Sequence, residues 1–276
     1  MRYLIIIATL LVVSFTTISC NKFSKIQKSK DFEYKLVKAD EYFNKKQYKF
    51  SQQLYEELFP VFKGTAKFED LYYKYAYCFY YDELYKDAEN LFKGYLEVFP
   101  NSKKTEDLDF MRGMCYFKQS PKIELDQTTT LKAMNMMQTF INIHPGSERI
   151  KEATEIIDKS RAKLESKEFK TAQLYYNLGE FRAAAIAFSI LMNNYPESLS
   201  GEHYKLLVVK SYFKFAKMSI FEKQEERFLR VITEYEDFVD RYPESKILKV
   251  AESYSILSQN QLKIIKNEQT SSSSKR

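Results

Sequence analysis

A four-residue pattern recurs along the chain and constrains its fold more than any other feature. It is an aromatic residue or histidine, then proline, a variable residue and serine, as in Phe99-Pro100-Asn101-Ser102, His144-Pro145-Gly146-Ser147, Tyr195-Pro196-Glu197-Ser198 and Tyr242-Pro243-Glu244-Ser245. A weaker version, Phe59-Pro60, comes first, and the five prolines lie 40 to 51 residues apart. Proline disfavours a helical conformation in the residue before it, and serine can cap the helix that follows. Repeats at this spacing predict a helical solenoid.

Between these patterns, apolar residues recur at helical spacing in pairs of stripes. Within residues 69–100 the two stripes are Tyr72, Tyr75, Ala76 and Phe79, and then Ala88, Phe92, Tyr95 and Pro100. This arrangement resembles the tetratricopeptide repeat (TPR), a unit of about 34 residues built from two antiparallel helices. We therefore predict an all-α, TPR-like α-solenoid of about five helix-turn-helix repeats, closed by a C-terminal capping helix.

The repeats divide the predicted chain into five parts. Residues 1–19 are a signal peptide, 20–31 a lipidated linker and 267–276 a disordered polar tail. Repeats 1 to 3 occupy residues 32–147, and repeats 4 and 5 with the capping helix occupy residues 148–266. Because no glycine or proline lies between Glu148 and Asn177, one long helix of about 30 residues is expected to join the two halves.

The N-terminus has the composition of a secretory signal. A basic start, Met1-Arg2, precedes an apolar run from Tyr3 to Phe15, and small residues lead into Cys20. The run is shorter than the about 20 residues that a transmembrane helix needs. The cysteine resembles the lipidation site of bacterial lipoproteins, which implies lipid on Cys20. Two alternatives stay open: an ordinary signal peptide with a chance cysteine, and a buried N-terminal helix.

The chain offers few residues for catalysis or metal binding. Neither of its two histidines, His144 and His203, lies within helical reach of another set of metal ligands, and His144 takes the aromatic place of the turn pattern. Cys78 and Cys115 fall at the same place in successive repeats, so we predict two small buried residues rather than a disulfide. No zinc spacing, nucleotide loop or nucleophile elbow is present, and a net charge of +6 without a basic stripe argues against a nucleic-acid partner. We predict no enzyme, no metal and no cofactor.

Aromatic residues are abundant, with 22 Tyr and 22 Phe, and some lie beside the packing stripe of helix A, the first helix of each repeat. In TPR arrays helix A lines the face that receives partners. The predicted members are Phe43 with Leu36 and Asp40 in repeat 1, Tyr73, Tyr77 and Tyr80 in repeat 2, and Phe110, Met114 and Phe117 in repeat 3. We predict an aromatic peptide-binding trough here, because exposed apolar patches mark interaction sites. The alternative is that these rings pack internally.

Three short motifs carry a further resemblance. They are Tyr75-Ala76-Tyr77, Met111-Arg112-Gly113, and Tyr175-Tyr176 followed by Gly179. Together with the signal and the five repeats, they resemble the BamD family, lipoproteins of the outer-membrane β-barrel assembly (BAM) machinery. The resemblance implies a non-enzymatic scaffold that lipid holds on the periplasmic face of the outer membrane of a Gram-negative bacterium.

The same resemblance implies two protein partners. The C-terminal repeats would dock the periplasmic domains of the barrel-forming central subunit. The N-terminal repeats would receive the C-terminal signals of unfolded outer-membrane proteins, which commonly end in an aromatic residue. Arg112 would offer its charge to the terminal carboxylate, or alternatively pack between helices. The family's docking arginine in the fourth repeat aligns near Ala187, and Arg182 is the nearest substitute.

Three other functions stay open. One is a different periplasmic TPR lipoprotein scaffold that coordinates cell-wall synthesis, although such proteins often carry a coiled coil that is not seen here. Another is a SusD-like glycan-binding lipoprotein, which usually places Trp at its sugar site, whereas this chain has no Trp. The third is an enzyme with an unrecognised site, which the scarcity of histidine and cysteine disfavours.

Overall fold

The computed structural model describes residues 22–273, and every regular element within that range is an α-helix. In chain order the helices are α1 (22–27), α2 (Phe32–Asn44), α3 (Tyr48–Phe62), α4 (Phe68–Tyr81), α5 (Tyr85–Val98), α6 (Thr105–Lys118), α7 (Thr128–Ile143), α8 (Ile150–Asn177), α9 (Phe181–Asn194), α10 (Gly201–Lys217), α11 (Phe221–Arg241) and α12 (Leu248–Ser273). The predicted all-α class is confirmed. The predicted signal peptide, its Cys20 and the last three residues lie outside the described range.

Consecutive helices pack against each other as hairpins. The chain divides into an N-terminal unit, up to Ser160, and a C-terminal unit from Arg161 onward. The N-terminal unit contains the hairpins α2–α3, α4–α5 and α6–α7. In the C-terminal unit, α8 meets α9 through Phe169 and Phe188, whose ring centroids lie 6.0 Å apart, and α10 pairs with α11. Since α12 packs on α10 and α11, the predicted TPR-like solenoid with a capping helix is confirmed.

Residues at the predicted repeat positions form the cores. Those that are almost fully buried are Ala39, Ala76, Ala88, Phe92, Tyr95, Ala133, Met137, Phe140, Ala172, Ala184, Phe188, Leu191, Val231 and Phe238. Burial of one large apolar side chain stabilises the fold by about 1.5–3 kcal/mol. These positions therefore determine which face each helix buries. The predicted long helix is also present, since α8 has 28 residues.

The serine of the turn pattern has a different role from the predicted helix cap. Ser102 accepts a hydrogen bond from the Lys104 amide at 3.1 Å and donates one to Glu69 Oε1 at 2.6 Å. The N-cap of α6 is Lys104, without a side-chain cap bond. The same two-sided bonding recurs at Ser147 with Glu106 and at Ser198 with Glu165. The serine thus connects the turn after helix B with the preceding helix A.

The segment predicted to be a linker begins as a docked helix. In α1, Phe23 and Ile26 are buried, because three residues of spacing place both on one helical face. The Phe23 ring centroid lies 4.7 Å from that of Phe50 and 5.8 Å from that of Tyr42. The segment predicted as a lipidated linker over 20–31 thus contains a docked helix at residues 22–27.

The C-terminus also differs from the expectation of a disordered tail from residue 267. Helix α12 continues to Ser273. The Thr270 hydroxyl donates to the Lys266 carbonyl at 2.8 Å, and the Gln269 amide donates to Glu225 Oε2 at 3.3 Å. Polar composition alone predicted disorder, whereas the contact with α11 gives the helix a partner.

Candidate peptide-binding face and docking groove

Four of the polar contacts that join successive repeats of the N-terminal unit each span 34 residues of sequence. The pairs are Lys67 with Glu33 at 2.5 Å, Lys74 with Asp40 at 3.0 Å, Lys104 with Asp70 at 2.9 Å and Tyr73 with Asp107 at 2.8 Å. Each pair connects a residue of helix A, or of its N-cap, with the following repeat. Hydrogen bonds and ion pairs therefore connect neighbouring repeats beside the face that is predicted to receive a peptide.

Asp70 binds two of the lysines that take part in these contacts. Its carboxylate accepts from Lys74 at 2.7 Å and from Lys104 at 2.9 Å, and Lys74 also reaches Asp40. Burial acts to raise the pKa of Asp70, but the two ammonium groups outweigh burial and hold the pKa below its ordinary value. The ionised carboxylate is therefore the form that the fold favours.

We expect acid to destabilise the N-terminal unit partly through Asp70. A carboxyl whose folded pKa is lowered stabilises the fold above its unfolded pKa of about 4, and this contribution is lost as the pH falls through the folded value. Asp70→Asn should therefore flatten the decline of the unfolding free energy below about pH 5. Urea denaturation across this range checks the effect, with Asp87→Asn, exposed on α5, as the matched control. Identical pH slopes in parent and Asp70→Asn would contradict the role of Asp70.

Tyr77 and Phe110, two predicted members of the trough, are only 7 % and 1 % exposed. The Tyr77 hydroxyl donates to Asp107, as does that of Tyr73. Arg149 binds Asp107 Oδ1 at 2.7 Å and lies 4.7 Å from the centre of the Phe110 ring. Burial and the Asp107 charge raise the pKa of Tyr77, and burial raises that of Tyr73 to about 12. Tyr77 and Phe110 are thus packing residues, because Asp107 and Arg149 close over them.

The other predicted members keep an accessible side. Phe43, Tyr80, Met114 and Phe117 are half-buried and pack against the core on their inner side. Tyr81, which was not predicted, is 46 % exposed; its ring stacks 4.6 Å from Tyr48 and lies 6.3 Å from Phe43. Its position four residues after Tyr77 places it on the same side of α4, a signal that the sequence contains. We call the four aromatic residues Phe43, Tyr80, Tyr81 and Phe117, together with Met114, the accessible aromatic set.

The Met111-Arg112-Gly113 motif serves packing. Met111 is buried, and Arg112 donates through Nε and Nη2 to Glu89 Oε1 at 3.0 and 2.9 Å. A Cβ on Gly113 would lie 2.9 Å from the terminal carbon of Met137, so the glycine lets α7 approach α6 closely. Of the two roles predicted for Arg112, the structure shows packing between helices, with its charge taken by Glu89.

A groove in the C-terminal unit surrounds Arg182, the predicted docking residue. Its volume is 530 Å³, and its lining is Arg182, Ile186, Tyr212, Phe215, Lys223, Glu226, Arg227, Leu229, Arg230 and Thr233. Four of these residues are basic and one is acidic, and Ile186 and Leu229 are about half exposed. Ala187 is half-buried and packs against the core of the unit. The groove therefore includes Arg182 but not Ala187.

Arg182 differs from its basic neighbours in the groove. Arg230 binds Glu234 at 2.6 Å, and Lys223 lies 3.4 Å from Glu226. Within residues 22–273, Arg182 forms no ion pair and no ring contact. Its guanidinium is therefore available to a carboxylate of a bound partner.

Histidine and cysteine occupy packing positions. Cys78 and Cys115 are free and buried, as predicted, and burial raises the pKa of each thiol to about 12. His144 Nε2 lies 2.9 Å from Asp109 Oδ2, and its ring centroid lies 5.2 Å from that of Phe140. In the part of the chain that is described, no three His, Cys, Asp or Glu side chains are grouped as a metal site. Over the same residues, no helix combines the length and apolar character needed to span a bilayer.

These observations define a TPR-like helical-repeat protein that presents a groove and a half-open aromatic surface. The model of the YfiO family, described as an outer membrane lipoprotein, matches residues 29–218. The chain therefore belongs to the YfiO family of outer membrane lipoproteins. A comparison with curated proteins found no significant match. Among solved structures, the chain is similar to the TPR2AB domain of yeast Sti1 in its pHSP90 complex, with 12% identity, coverage of 83% of this chain and 98% of that chain, and a TM-score of 0.39.

Proposed function

We propose that this lipoprotein is a non-enzymatic scaffold of the BAM machinery. In this role it docks the periplasmic domains of the barrel-forming central subunit and binds C-terminal signals of unfolded outer-membrane proteins. The observation that carries the proposal is the groove around Arg182, whose lining comes from α9, α10 and α11, in the C-terminal repeats where the BamD resemblance expects docking. Membership of an outer membrane lipoprotein family supports the location.

The groove favours one kind of partner surface. Arg182, Lys223, Arg227 and Arg230 give it an excess of positive charge, and Ile186 and Leu229 give it apolar contact area. A partner that combines exposed carboxylates with apolar side chains would complement both properties. Arginine is enriched among residues whose truncation strongly weakens a protein interface, so the unpaired Arg182 is the residue to test first.

Arg182→Glu is expected to weaken recovery of the barrel-forming subunit by about tenfold or more, because the reversed charge repels the carboxylates that the groove would bind. The measurement is a mild-detergent pull-down of the full-length protein, tagged at its C-terminus, with quantitative mass spectrometry. Lys249→Glu, exposed on α12, is the matched charge-reversal control and should leave recovery unchanged.

The same pull-down separates the competing functions. Stoichiometric recovery of a large barrel protein with periplasmic repeat domains would support the assembly role. Recovery of wall-synthesis proteins, or of a glycan transporter, would overturn it. Equal recovery of the barrel subunit by parent and Arg182→Glu would keep the assembly role and move the docking site elsewhere.

The accessible aromatic set is the surface that we propose for the C-terminal signal peptide. Aromatic side chains bind apolar and aromatic termini with little loss of conformational freedom. Weak binding suffices here, because a membrane anchor raises the effective concentration of the scaffold where its substrates arrive. Fluorescence anisotropy with a labelled peptide that ends in Phe tests the assignment, and a peptide that ends in Ser is the control.

Attachment to the periplasmic face of the outer membrane is proposed to depend on lipid at Cys20. One acyl chain anchors a protein only marginally, so several chains, palmitate among them, are expected on the modified residue. Mass spectrometry of the mature N-terminus tests this step. A mature chain that keeps an unmodified cysteine, or that is cut elsewhere, would remove the anchor from the proposal.

A further inference from the structure

Lysine side chains converge on a pocket between α1 and α2, at the start of the described chain. The pocket has a volume of 360 Å³ and is lined by Lys22, Lys25, Ile26, Tyr34, Lys38, Glu41, Tyr42 and Lys45. Four of these residues are basic and one is acidic. The formal charge of the lining is therefore +3, which favours an anionic ligand.

The walls of the pocket are held in place by contacts behind them. Phe23 and Ile26 are buried under α1. The Gln27 amide donates to Glu57 Oε1 at 2.9 Å, while Glu57 Oε2 accepts from Lys35 of α2 at 2.7 Å. Lys22 and Lys25 are exposed residues of α1, and they line the pocket together with Ile26. Contacts within the chain therefore hold α1 and α2 at the pocket.

The positive charge of the pocket is only partly neutralised. Lys38 binds both oxygens of Glu41, at 2.7 and 2.9 Å. Lys22, Lys25 and Lys45 form no ion pair with any residue of the described chain. Ammonium groups bind phosphate oxygens as point charges, so a single phosphodiester fits the unpaired lysines.

The position of the pocket along the chain indicates the source of that phosphate. Lys22 is two residues after Cys20, and trans peptides limit their Cα atoms to a separation of about 7.6 Å. In an outer membrane lipoprotein anchored through Cys20, the pocket therefore lies within reach of phospholipid headgroups. Tyr34 lines the pocket and is 43 % exposed, and tyrosine is favoured at membrane interfaces.

We propose that this pocket binds the phosphate of an anionic phospholipid in the leaflet that holds the lipid anchor. The lysines give the protein a second attachment beside the acyl chains, since basic residues near an anchor strengthen binding to anionic membranes. The first repeat is thereby held against the membrane surface through α1. This inference rests on the lipid anchor at Cys20 and is independent of the BAM partners.

The test is lysine acetylation of the full-length lipidated protein in vesicles, with rates read by mass spectrometry. Vesicles of phosphatidylcholine are compared with vesicles that also contain phosphatidylglycerol. Lys22, Lys25, Lys38 and Lys45 should react about fivefold more slowly with the anionic lipid, and high salt should abolish the protection. Lys86 and Lys103, exposed elsewhere in the N-terminal unit, are the internal controls and should react equally in both vesicles.

A double substitution distinguishes binding of anionic lipid in the pocket from attraction by the overall surface charge. Lys25→Glu combined with Lys38→Glu should remove the phosphatidylglycerol-dependent protection of Lys22 and Lys45. Lys86→Glu combined with Lys103→Glu changes the net charge equally and should retain the protection. Circular dichroism shows whether both double variants keep their helix content.

Three results would overturn the proposal. One is equal reactivity of the four lysines in neutral and anionic vesicles. Another is equal protection by inorganic phosphate with neutral vesicles, since the pocket would then be a general anion site. The third is protection in neutral vesicles only after envelope proteins are added, which would assign the pocket to an acidic protein partner.

Discussion

Replacing Phe110 by alanine is expected to lower the free energy of unfolding of the N-terminal unit by about 3–5 kcal/mol, the usual cost of truncating a buried aromatic side chain. The Phe110 ring meets Phe140 edge-on at 5.4 Å and lies under Arg149. Truncation leaves a cavity between α6 and α7 and removes the surface that Arg149 covers. Tyr77→Ala should have a similar effect, because its ring contacts Phe92 at 5.2 Å.

Urea denaturation of the full chain, followed by circular dichroism, measures both losses. Tyr81→Ala is the matched control on the same helix as Tyr77, and its exposed ring should cost less than about 1 kcal/mol. The effects on peptide binding should be reversed, with about tenfold weaker binding in Tyr81→Ala at unchanged stability. A stable Phe110→Ala variant that loses peptide binding would contradict this division and restore Phe110 to the trough.

A milder substitution separates the ring of Tyr77 from its hydroxyl. Tyr77→Phe keeps the packing and removes one hydrogen bond to Asp107, which still accepts from Tyr73 and Arg149. The expected cost is about 1 kcal/mol, since no buried acceptor is left unpaired. A cost as large as that of Tyr77→Ala would mean that the hydroxyl, rather than the ring, holds the repeats together.

The register of the repeats could be predicted because it depends on local spacing. Ala76 and Ala88 occupy the small-residue positions of the two helices of one hairpin, and both are fully buried. The same periodicity located Phe92 and Phe188 in the cores. Such patterns are contained within about 35 residues of sequence, so no knowledge of the neighbouring repeat is needed.

Exposure of the helix A residues could not be predicted in this way, because it depends on residues of the neighbouring repeats. Helical spacing predicts that Tyr77 lies on the exposed face of its helix, but Asp107, 30 residues further along the sequence, binds its hydroxyl. The Met111-Arg112-Gly113 motif predicts that Arg112 is available to bind a carboxylate, but Glu89 of another helix binds its guanidinium. Periodicity identifies which residues share a face, and only the packed structure shows what covers that face.

Lys205→Ala is expected to destabilise the C-terminal unit by about 3 kcal/mol, the lower end of the cost of breaking a buried ion pair. The variant loses the ammonium group that Glu234 and Asp237 share, although Arg230 still binds Glu234 and Arg241 still binds Asp237. Lys205 is 4 % exposed, and its Nζ lies 2.5 Å from both Glu234 and Asp237. Burial opposes ionisation of Asp237, but Lys205 and Arg241 outweigh it and lower its pKa. The stabilisation from Asp237 is thus present at neutral pH and lost as acid protonates it.

Two variants distinguish the loss of charge pairing from the loss of packing. Lys205→Met keeps most of the side-chain volume and should still be destabilised, whereas Lys205→Met with Glu234→Leu should regain much of the loss, because apolar residues can replace a buried ion pair. Hydrogen exchange of the α10 and α11 amides measures each effect within the C-terminal unit, with Lys249→Ala on α12 as the exposed control. A Lys205→Ala variant as stable as this control would contradict a structural role for the buried cluster. Failure of the double variant to regain stability would show that Asp237 needs the ammonium group more than Glu234 does.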